Sequence, residues 1–342
     1  VFFVLFCSGF VLMFAIRDFM MTGRNIFGDW DESYMMFAKS TDWFDDSKGW
    51  KSTQGGFSAV SKVTTDQNNM GGFFVRKMAG ATVAGVQLQK MLPLLFHQTG
   101  AQFNLGHFRP VLVTGVLANL ASVGFLALSW EDLNAAGAAD LPLLWMAALA
   151  IESIVLMYYA ISTPMKLGPA VALKDGKTPS SVPSRIVSRT ILLVTTAMAV
   201  FAGRDLFFPG TIMTIVPRDD IYLEWTNSLL HSPPDGSPES EDHGLEAPLF
   251  VGDKFMSQYV ALHLLLLCFF KFVSAVGIRY GSDGRGEIQA KMLWSAQFLG
   301  NAMVLFLLRL FASAADTASL DLRWPIMAIA YETFILCLYG FF

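Results

Sequence analysis

The stretch Phe14-Ala15-Ile16-Arg17-Asp18 ends an apolar run near the start of the chain, and it recurs later as Phe201-Ala202-Gly203-Arg204-Asp205. In both places a glycine follows the aspartate by five residues, at Gly23 and Gly210. Each copy closes an apolar run and is followed by a long acidic segment. The recurrence predicts that one structural unit occurs twice in the chain.

Two further matches extend this repeat. The segment Ala148–Leu156 aligns without gaps with Ala328–Leu336, at an offset of 180 in the numbering. The segment Leu117–Asn119 aligns with Leu299–Asn301 at an offset of 182, and the opening motif recurs at an offset of 187. The insertions therefore fall between the apolar runs, where loops are expected.

The composition is that of a membrane protein. Hydrophobic residues make up 54% of the chain and charged residues 15%, and 30 residues are Phe. An apolar run of roughly 20 residues matches the thickness of a bilayer core. The sequence has eight such runs, at 1–21, 75–97, 109–129, 142–163, 188–208, 256–278, 290–311 and 323–342. The second is the weakest, because it carries Gln87, Gln89, Lys90 and Pro93.

These runs predict an all-α integral membrane protein with eight transmembrane helices, arranged as two parallel tandem four-helix bundles. The first repeat covers 1–163, with an acidic loop at 22–74, and a basic, Pro-rich linker covers 164–187. The second repeat covers 188–342, with an acidic loop at 209–255. A unit with an even number of spans repeats in the same orientation, so a rotation about an axis near the membrane normal is expected to relate the halves.

Loop charges predict the orientation. With eight crossings, one side receives loops that carry 12 basic and 23 acidic residues, whereas the segments 90–109, 164–189 and 279–291 carry ten Lys or Arg and three acidic residues. The positive-inside rule places the basic segments and both termini on the cytosolic, matrix or stromal side. Because the acidic loops lack glycosylation sequons, an organellar inner or thylakoid membrane is favoured over the plasma membrane. Any targeting peptide that precedes Val1 is expected to have been removed or to lie outside this sequence.

The sharpest candidate site is a set of polar residues at mid-depth in matched positions, namely Glu152, Glu332, Asn119 and Asn301. A charge at the bilayer centre costs at least ~2.5–3.5 kcal/mol on insertion scales, so an intramembrane carboxylate is a functional candidate. Three interpretations remain open. A neutral Glu bonded to the Asn of the neighbouring helix would hold each hairpin together, the carboxyls could line a proton or ion pathway, or they could bind a pigment or lipid headgroup.

His263 is a possible cofactor ligand, because a neutral imidazole can bind a metal, a haem or the magnesium of chlorophyll. The aligned region of the first repeat offers only small apolar residues and Thr82, so His263 is not part of the repeated plan. A structural histidine is the competing interpretation. Lys271 lies toward the basic end of its helix, where extension to the membrane surface would account for it.

The Arg-Asp pairs suggest contacts between the repeats. Adjacent residues on a helix point apart, so Arg17 is not expected to pair with Asp18, nor Arg204 with Asp205. Under a two-fold relation the natural partners are reciprocal, Arg17 with Asp205 and Arg204 with Asp18. The competing interpretation is that each Arg reaches lipid headgroups while each Asp accepts bonds from loop amides.

No motif indicates catalysis or a metal site. The sequence lacks a Gly-rich phosphate loop, a His-Glu-X-X-His motif, a Cys-X-X-Cys motif and a Gly-X-Ser-X-Gly turn. Cys7, Cys268 and Cys337 each lie inside an apolar run, where free cysteines pack as small apolar residues. We therefore expect no enzyme activity.

A four-span unit whose first helix ends in Arg-Asp, with a glycine five residues on, resembles the small four-helix membrane proteins grouped as DoxX-like. Only Phe14–Gly23 and Phe201–Gly210 carry this resemblance. The long acidic loops depart from those compact proteins. The resemblance implies a four-helix bundle and no particular activity.

These features predict a non-enzymatic integral subunit of a larger membrane assembly, such as an energy-transducing complex, that docks through lipid-facing helices and aromatic, acidic loops. The alternatives are a transporter of protons, ions or small solutes that uses Glu152 and Glu332, and a pigment- or lipid-binding membrane protein. Expected partners are membrane lipids and other membrane subunits, without nucleic acid. Bound lipid is the expected cofactor, with chlorophyll or carotenoid as further candidates.

Overall fold

The computed structural model describes residues 2–20, 70–98, 105–131, 140–162, 182–207, 251–277, 285–317 and 321–341. Within these ranges the chain is all-helical, with eight α-helices and no strand. In chain order they are α1 (Phe2–Met20), α2 (Met70–Gln98), α3 (Leu105–Leu128), α4 (Asp140–Ser162), α5 (Val182–Phe207), α6 (Val251–Gly277), α7 (Arg285–Thr317) and α8 (Arg323–Phe341).

Each of the eight predicted apolar runs corresponds to one helix, but several helix boundaries differ from the prediction. Helix α2 begins at Met70, α5 at Val182 and α6 at Val251, each a turn or more before the apolar run that predicted it. The helices therefore extend into the predicted acidic loops and linker, because polar residues can continue a helix beyond the apolar segment. The rest of both acidic loops and of the linker lies outside the described residues.

Five of the described helices are long and apolar enough to cross a membrane. The segments that meet this condition are Arg109–Leu128, Leu143–Ser162, Arg189–Phe207, Ser257–Ala275 and Leu293–Ser313. They belong to α3, α4, α5, α6 and α7. The chain is therefore a multi-pass helical protein of the membrane type.

Helix packing follows a similar pattern in the first four and the last four helices. Helix α1 packs along α2, and α5 packs along α6. The pair α3 and α4 and the pair α7 and α8 are also in extensive contact. Helix α4 contacts α1, and α8 contacts α5. Corresponding helices in the two halves thus have corresponding neighbours.

The two halves also pack closely against each other. Helix α2 lies along α7, α3 contacts α6, and α2 contacts α6. Helices α2 and α7 cross at two glycines, since a Cβ atom added at Gly85 would lie 3.5 Å from the Gly300 Cα. Phe74 and Phe311 pack with ring centroids 5.5 Å apart on the same pair of helices and belong to the largest buried core cluster. Helix α2 is therefore part of both its own half and the interface.

The ends of α1 and α5 are held by corresponding side chains. Lys77 Nζ donates to the carbonyl oxygens of Phe19 and Met20, at 3.1 and 3.3 Å. Gln258 Nε2 donates to the carbonyl oxygen of Leu206 at 2.9 Å. The last carbonyls of a helix have no intrahelical partner, so these bonds satisfy carbonyl oxygens that the helix itself leaves without a donor.

Outside the apolar segments, Asp321 forms the cap of α8. Its Oδ1 accepts from the backbone amide of Arg323 at 2.9 Å. Hydrogen bonds from the Arg323 side chain and backbone lower the pKa of the Asp321 carboxyl to about 2. A capping aspartate satisfies one of the free amides at a helix start, and Asp321 does this for the amide of Arg323.

Candidate functional site

Four polar side chains from four helices meet in the first half, and we call them the Lys90 cluster. Its members are Ser8 on α1, Lys90 on α2, Asn119 on α3 and Glu152 on α4. Lys90 Nζ lies 2.8 Å from Glu152 Oε2 and 2.7 Å from Asn119 Oδ1. Asn119 Nδ2 donates to Glu152 Oε2 at 2.9 Å, and Ser8 Oγ donates to Glu152 Oε1. Both carboxylate oxygens therefore have partners inside the protein.

The second half contains a matching set, the Lys271 cluster. Its members are Thr195 on α5, Lys271 on α6, Asn301 on α7 and Glu332 on α8. Lys271 Nζ lies 2.8 Å from Glu332 Oε2, and Asn301 Nδ2 donates to the same oxygen at 2.7 Å. Thr195 Oγ1 donates to Glu332 Oε1 at 3.3 Å. Each residue type, or its hydroxyl equivalent, recurs with the same bond to the glutamate.

In the structure each Glu lies beside the Asn of the neighbouring helix and accepts a hydrogen bond from it. The lysine partners were missed, although the sequence contained a signal for them. Lys271 follows Lys90 at an offset of 181, between the offsets of 180 and 182 seen for Glu and Asn. Thr195 follows Ser8 at an offset of 187, which is also the offset of the Arg-Asp motif. Aligning every polar residue within the apolar runs would have found both clusters.

The expectation that Lys271 extends to the membrane surface is wrong. Its side chain is 2% exposed and pairs with Glu332, which is fully buried. Lys90 is 1% exposed and is paired in the same way. A buried charge is tolerable only with a partner and further hydrogen bonds. Here the lysine is the charged partner of each carboxylate, and the asparagine amide supplies a further hydrogen bond.

The two clusters differ in their tightness. Lys90 Nζ donates to Asn119 as well as to Glu152, whereas Glu332 is the one acceptor of Lys271 Nζ among the described residues. The Lys90 stem packs on Gly115, where an added Cβ would lie 3.2 Å from Lys90 Cγ. A glycine at this point makes room for the buried lysine. Because Lys271 Nζ makes one hydrogen bond within the described part of the chain where Lys90 Nζ makes two, the Lys271 cluster has fewer internal bonds.

Among the described residues His263 is hydrogen-bonded to neither carboxylate, and it continues a row of aromatic side chains on α6, after Phe255 and Tyr259. Its Nδ1 lies 2.9 Å from the Tyr259 carbonyl oxygen, one turn back on α6, and its Nε2 lies 3.5 Å from Ser122 Oγ. Its ring also packs on Tyr259, with centroids 4.3 Å apart. Both ring nitrogens thus have neighbours in the fold, an arrangement that suits a structural histidine.

The Arg-Asp motifs form ion pairs within themselves. Arg17 Nε donates to Asp18 Oδ1 at 2.9 Å, and Arg204 Nε donates to Asp205 Oδ1 at 2.7 Å. The expectation that these adjacent residues would not pair is therefore wrong. A long Arg side chain can curve around its own helix to reach the next residue, so adjacency does not exclude a pair. The reciprocal pairs between the repeats stay a prediction.

The described residues contain no group of three or more His, Cys, Asp or Glu side chains that could hold a metal ion. The three cysteines are free, and Cys7 and Cys268 are buried. The chain matches no known protein-family profile, no characterised protein and no solved structure. The resemblance to DoxX-like proteins therefore stays a prediction.

Each cluster links four helices through one carboxylate. Its acceptors and donors are directed at one another, so the arrangement neither exposes a nucleophile nor leaves the carboxylate free to act as a base. Chemically, it is suited to holding helices in place. Any proton transfer through Glu152 or Glu332 would first require one of these ion pairs to open.

Proposed function

We propose that this chain is a non-catalytic integral membrane subunit of a larger membrane protein assembly, with eight transmembrane helices in two repeated halves. The observation that carries the proposal is that the carboxylates of both clusters are bonded entirely within the protein. Glu152 and Glu332 are fully buried, and each is bonded to a lysine, an asparagine and a hydroxyl. Buried charges that are fully bonded to neighbouring helices hold those helices together.

Two exposed stripes support docking to other membrane proteins. On α8, large apolar or aromatic side chains are exposed at alternating spacings of three and four residues, namely Trp324, Met327, Tyr331, Phe334 and Leu338. On α4 the corresponding stripe includes Leu144, Ile151, Ile154 and Tyr158. This spacing is that of a seam along which a second helix packs. Aromatic residues are also enriched at protein interfaces.

A native gel tests the subunit proposal. The tagged chain is purified from its own membrane in a mild detergent, and we expect it to migrate in a defined complex well above its own mass of 37.7 kDa. The variant with Tyr331→Ala and Phe334→Ala should leave the complex while the purified chain keeps its melting temperature. The control is Leu193→Ala on α5, since Leu193 is also exposed but lies outside both stripes.

The outcomes are distinct. Loss of the complex in the α8 variant alone supports docking through this stripe. A chain that migrates at its own mass in every gentle detergent would argue against a subunit role. Equal loss of the complex in the Leu193→Ala control would show that the effect is not specific to the stripe.

Transport of protons, ions or small solutes is the second candidate function. The observation that favours it is that the two buried Lys-Glu pairs have their lysines on α2 and α6, which contact each other. Membrane-embedded ion pairs often belong to ion pathways. Proton flux into liposomes that is abolished by Glu152→Gln together with Glu332→Gln would support transport over the subunit role. Unchanged flux in this double variant would exclude a pathway through these carboxyls.

A further inference from the structure

Two buried glutamines have no hydrogen bonds in the part of the chain that the structure describes. The amide nitrogen and oxygen of Gln89, on α2, and those of Gln297, on α7, are without partners there. Their side chains are 1% and 2% exposed. Leaving a buried amide unbonded is costly, and more so in an apolar interior. These four atoms therefore need an explanation.

The two glutamines lie at the same level of one helix interface. Gln89 follows Gly85 by four residues and Gln297 precedes Gly300 by three, so each lies one turn from the glycine crossing on the face that carries the glycine. The two helices are antiparallel, because Phe74, before Gly85, packs on Phe311, after Gly300. Gln89 and Gln297 are therefore on the same side of the crossing, and both are at the α2 and α7 interface.

The corresponding positions in the other half are apolar. At an offset of 181, Gln89 corresponds to Phe270, which is buried in a cluster that includes Val111 and Leu262. At an offset of 182, Gln297 corresponds to Gly115. At this level the matched α3 and α6 interface is thus apolar, and its polar pair, His263 with Ser122, lies seven residues away along each helix. A general need of the fold for a polar residue at this depth does not explain them.

We propose that Gln89 and Gln297 hold ordered water between α2 and α7. Each amide offers two donor hydrogens and an acceptor oxygen, and a buried water typically uses two to four such partners. The site adjoins the Lys271 cluster, because Asn301 follows Gln297 by one turn on the same helix.

A map of the purified full-length chain that is detailed enough to show water, from cryo-electron microscopy, tests the proposal directly. We expect a density peak within hydrogen-bonding distance of one amide atom from each glutamine, and none between Phe270 and Gly115. Two amides bonded directly to each other would overturn the proposal. So would an interface with no density between the amides.

Thermal stability provides a second test, because the melting temperature should change in opposite directions for a hydrated site and a dry one. If water satisfies the amides, Gln297→Met and Gln89→Met should each lower the melting temperature by roughly 2–4 °C. If the amides are unbonded, the same changes should raise it, because a desolvated polar group is replaced by an apolar one. The matched control is Leu299→Met on α7, where Leu299 is 45% exposed and we expect no shift. A raised melting temperature for either glutamine variant would overturn the proposal.

Discussion

Lys90 and Glu152 form an ion pair in the interior of the first half, with Nζ and Oε2 2.8 Å apart and at most 1% of either side chain exposed. Removal of one partner of a buried pair leaves an uncompensated charge, whereas removal of both does not. We expect Lys90→Met to lower the free energy of unfolding by about 3–5 kcal/mol. The double variant Lys90→Met with Glu152→Leu should recover most of that loss.

Thermal unfolding of the single and double variants in detergent measures this coupling. The matched control is Leu193→Met, at a position that is 74% exposed, and it should be neutral. If the double variant loses as much stability as the single variants Lys90→Met and Glu152→Leu combined, the two side chains do not act as a pair.

The two clusters should respond differently to loss of their asparagine. Asn119 accepts a bond from Lys90 and donates to Glu152, whereas Asn301 donates to Glu332 without a bond from Lys271. We expect Asn119→Leu to cost about 1 kcal/mol more than Asn301→Leu, the typical net value of one hydrogen bond. Parallel melting curves of the two variants give the difference. An equal or reversed order would mean that the second cluster is as tightly bonded as the first.

A side chain at Gly80 should disrupt the contact between α1 and α2. A Cβ at Gly80 would lie 2.5 Å from the backbone nitrogen of Phe19 and 2.6 Å from the Ala15 carbonyl oxygen. Since backbone atoms cannot move aside as a flexible side chain can, we expect Gly80→Ala to destabilise the protein by about 1–3 kcal/mol.

The matched control for this change is Gly124→Ala on α3. A Cβ at Gly124 meets nothing within 4 Å, so this variant should stay within about 1 kcal/mol of the parent, on the stabilising side. Equal melting temperatures for the Gly80→Ala and Gly124→Ala variants would show that the close approach of α1 and α2 is not required.

The cap on the end of α1 should tolerate glutamine better than methionine. Lys77 Nζ donates to the last carbonyls of α1, and Gln258 has this role at the end of α5. We expect Lys77→Met to cost about 1–2 kcal/mol, and Lys77→Gln to recover part of this because its amide still donates. Unfolding measurements on both variants decide the matter. If the two variants lose the same stability, hydrogen bonding by residue 77 does not stabilise the helix end.

Much of the helical framework could be predicted from the sequence. A run of about 20 apolar residues forms a helix wherever water is excluded, because the backbone then has to bond to itself. The eight runs therefore indicated the eight helices of the described residues. Their starts were less predictable, as at Val182, since polar residues such as Ser and Arg can extend a helix into the region outside the apolar layer.

The candidate site was only partly predictable. The matched offsets of Glu152 with Glu332 and of Asn119 with Asn301 identified two of the four members of each cluster. The sequence predicts a surface position for Lys271, because a long side chain near a helix end can extend to the membrane surface. Its true partner, Glu332, lies two helices further along the chain, on α8. Contacts over such a separation depend on how helices pack.

The sequence by itself determined the helices, the recurrence of polar residues at matched offsets and the absence of familiar catalytic motifs, because each of these depends on local residue type and spacing. The tertiary structure decided that Lys90 pairs with Glu152, that Arg17 folds back on Asp18, and that α2 lies along α7. These outcomes depend on which helix faces meet in space. Close packing at Gly85 and Gly300 fixes that choice for α2 and α7, and residue spacing within a single helix does not encode it.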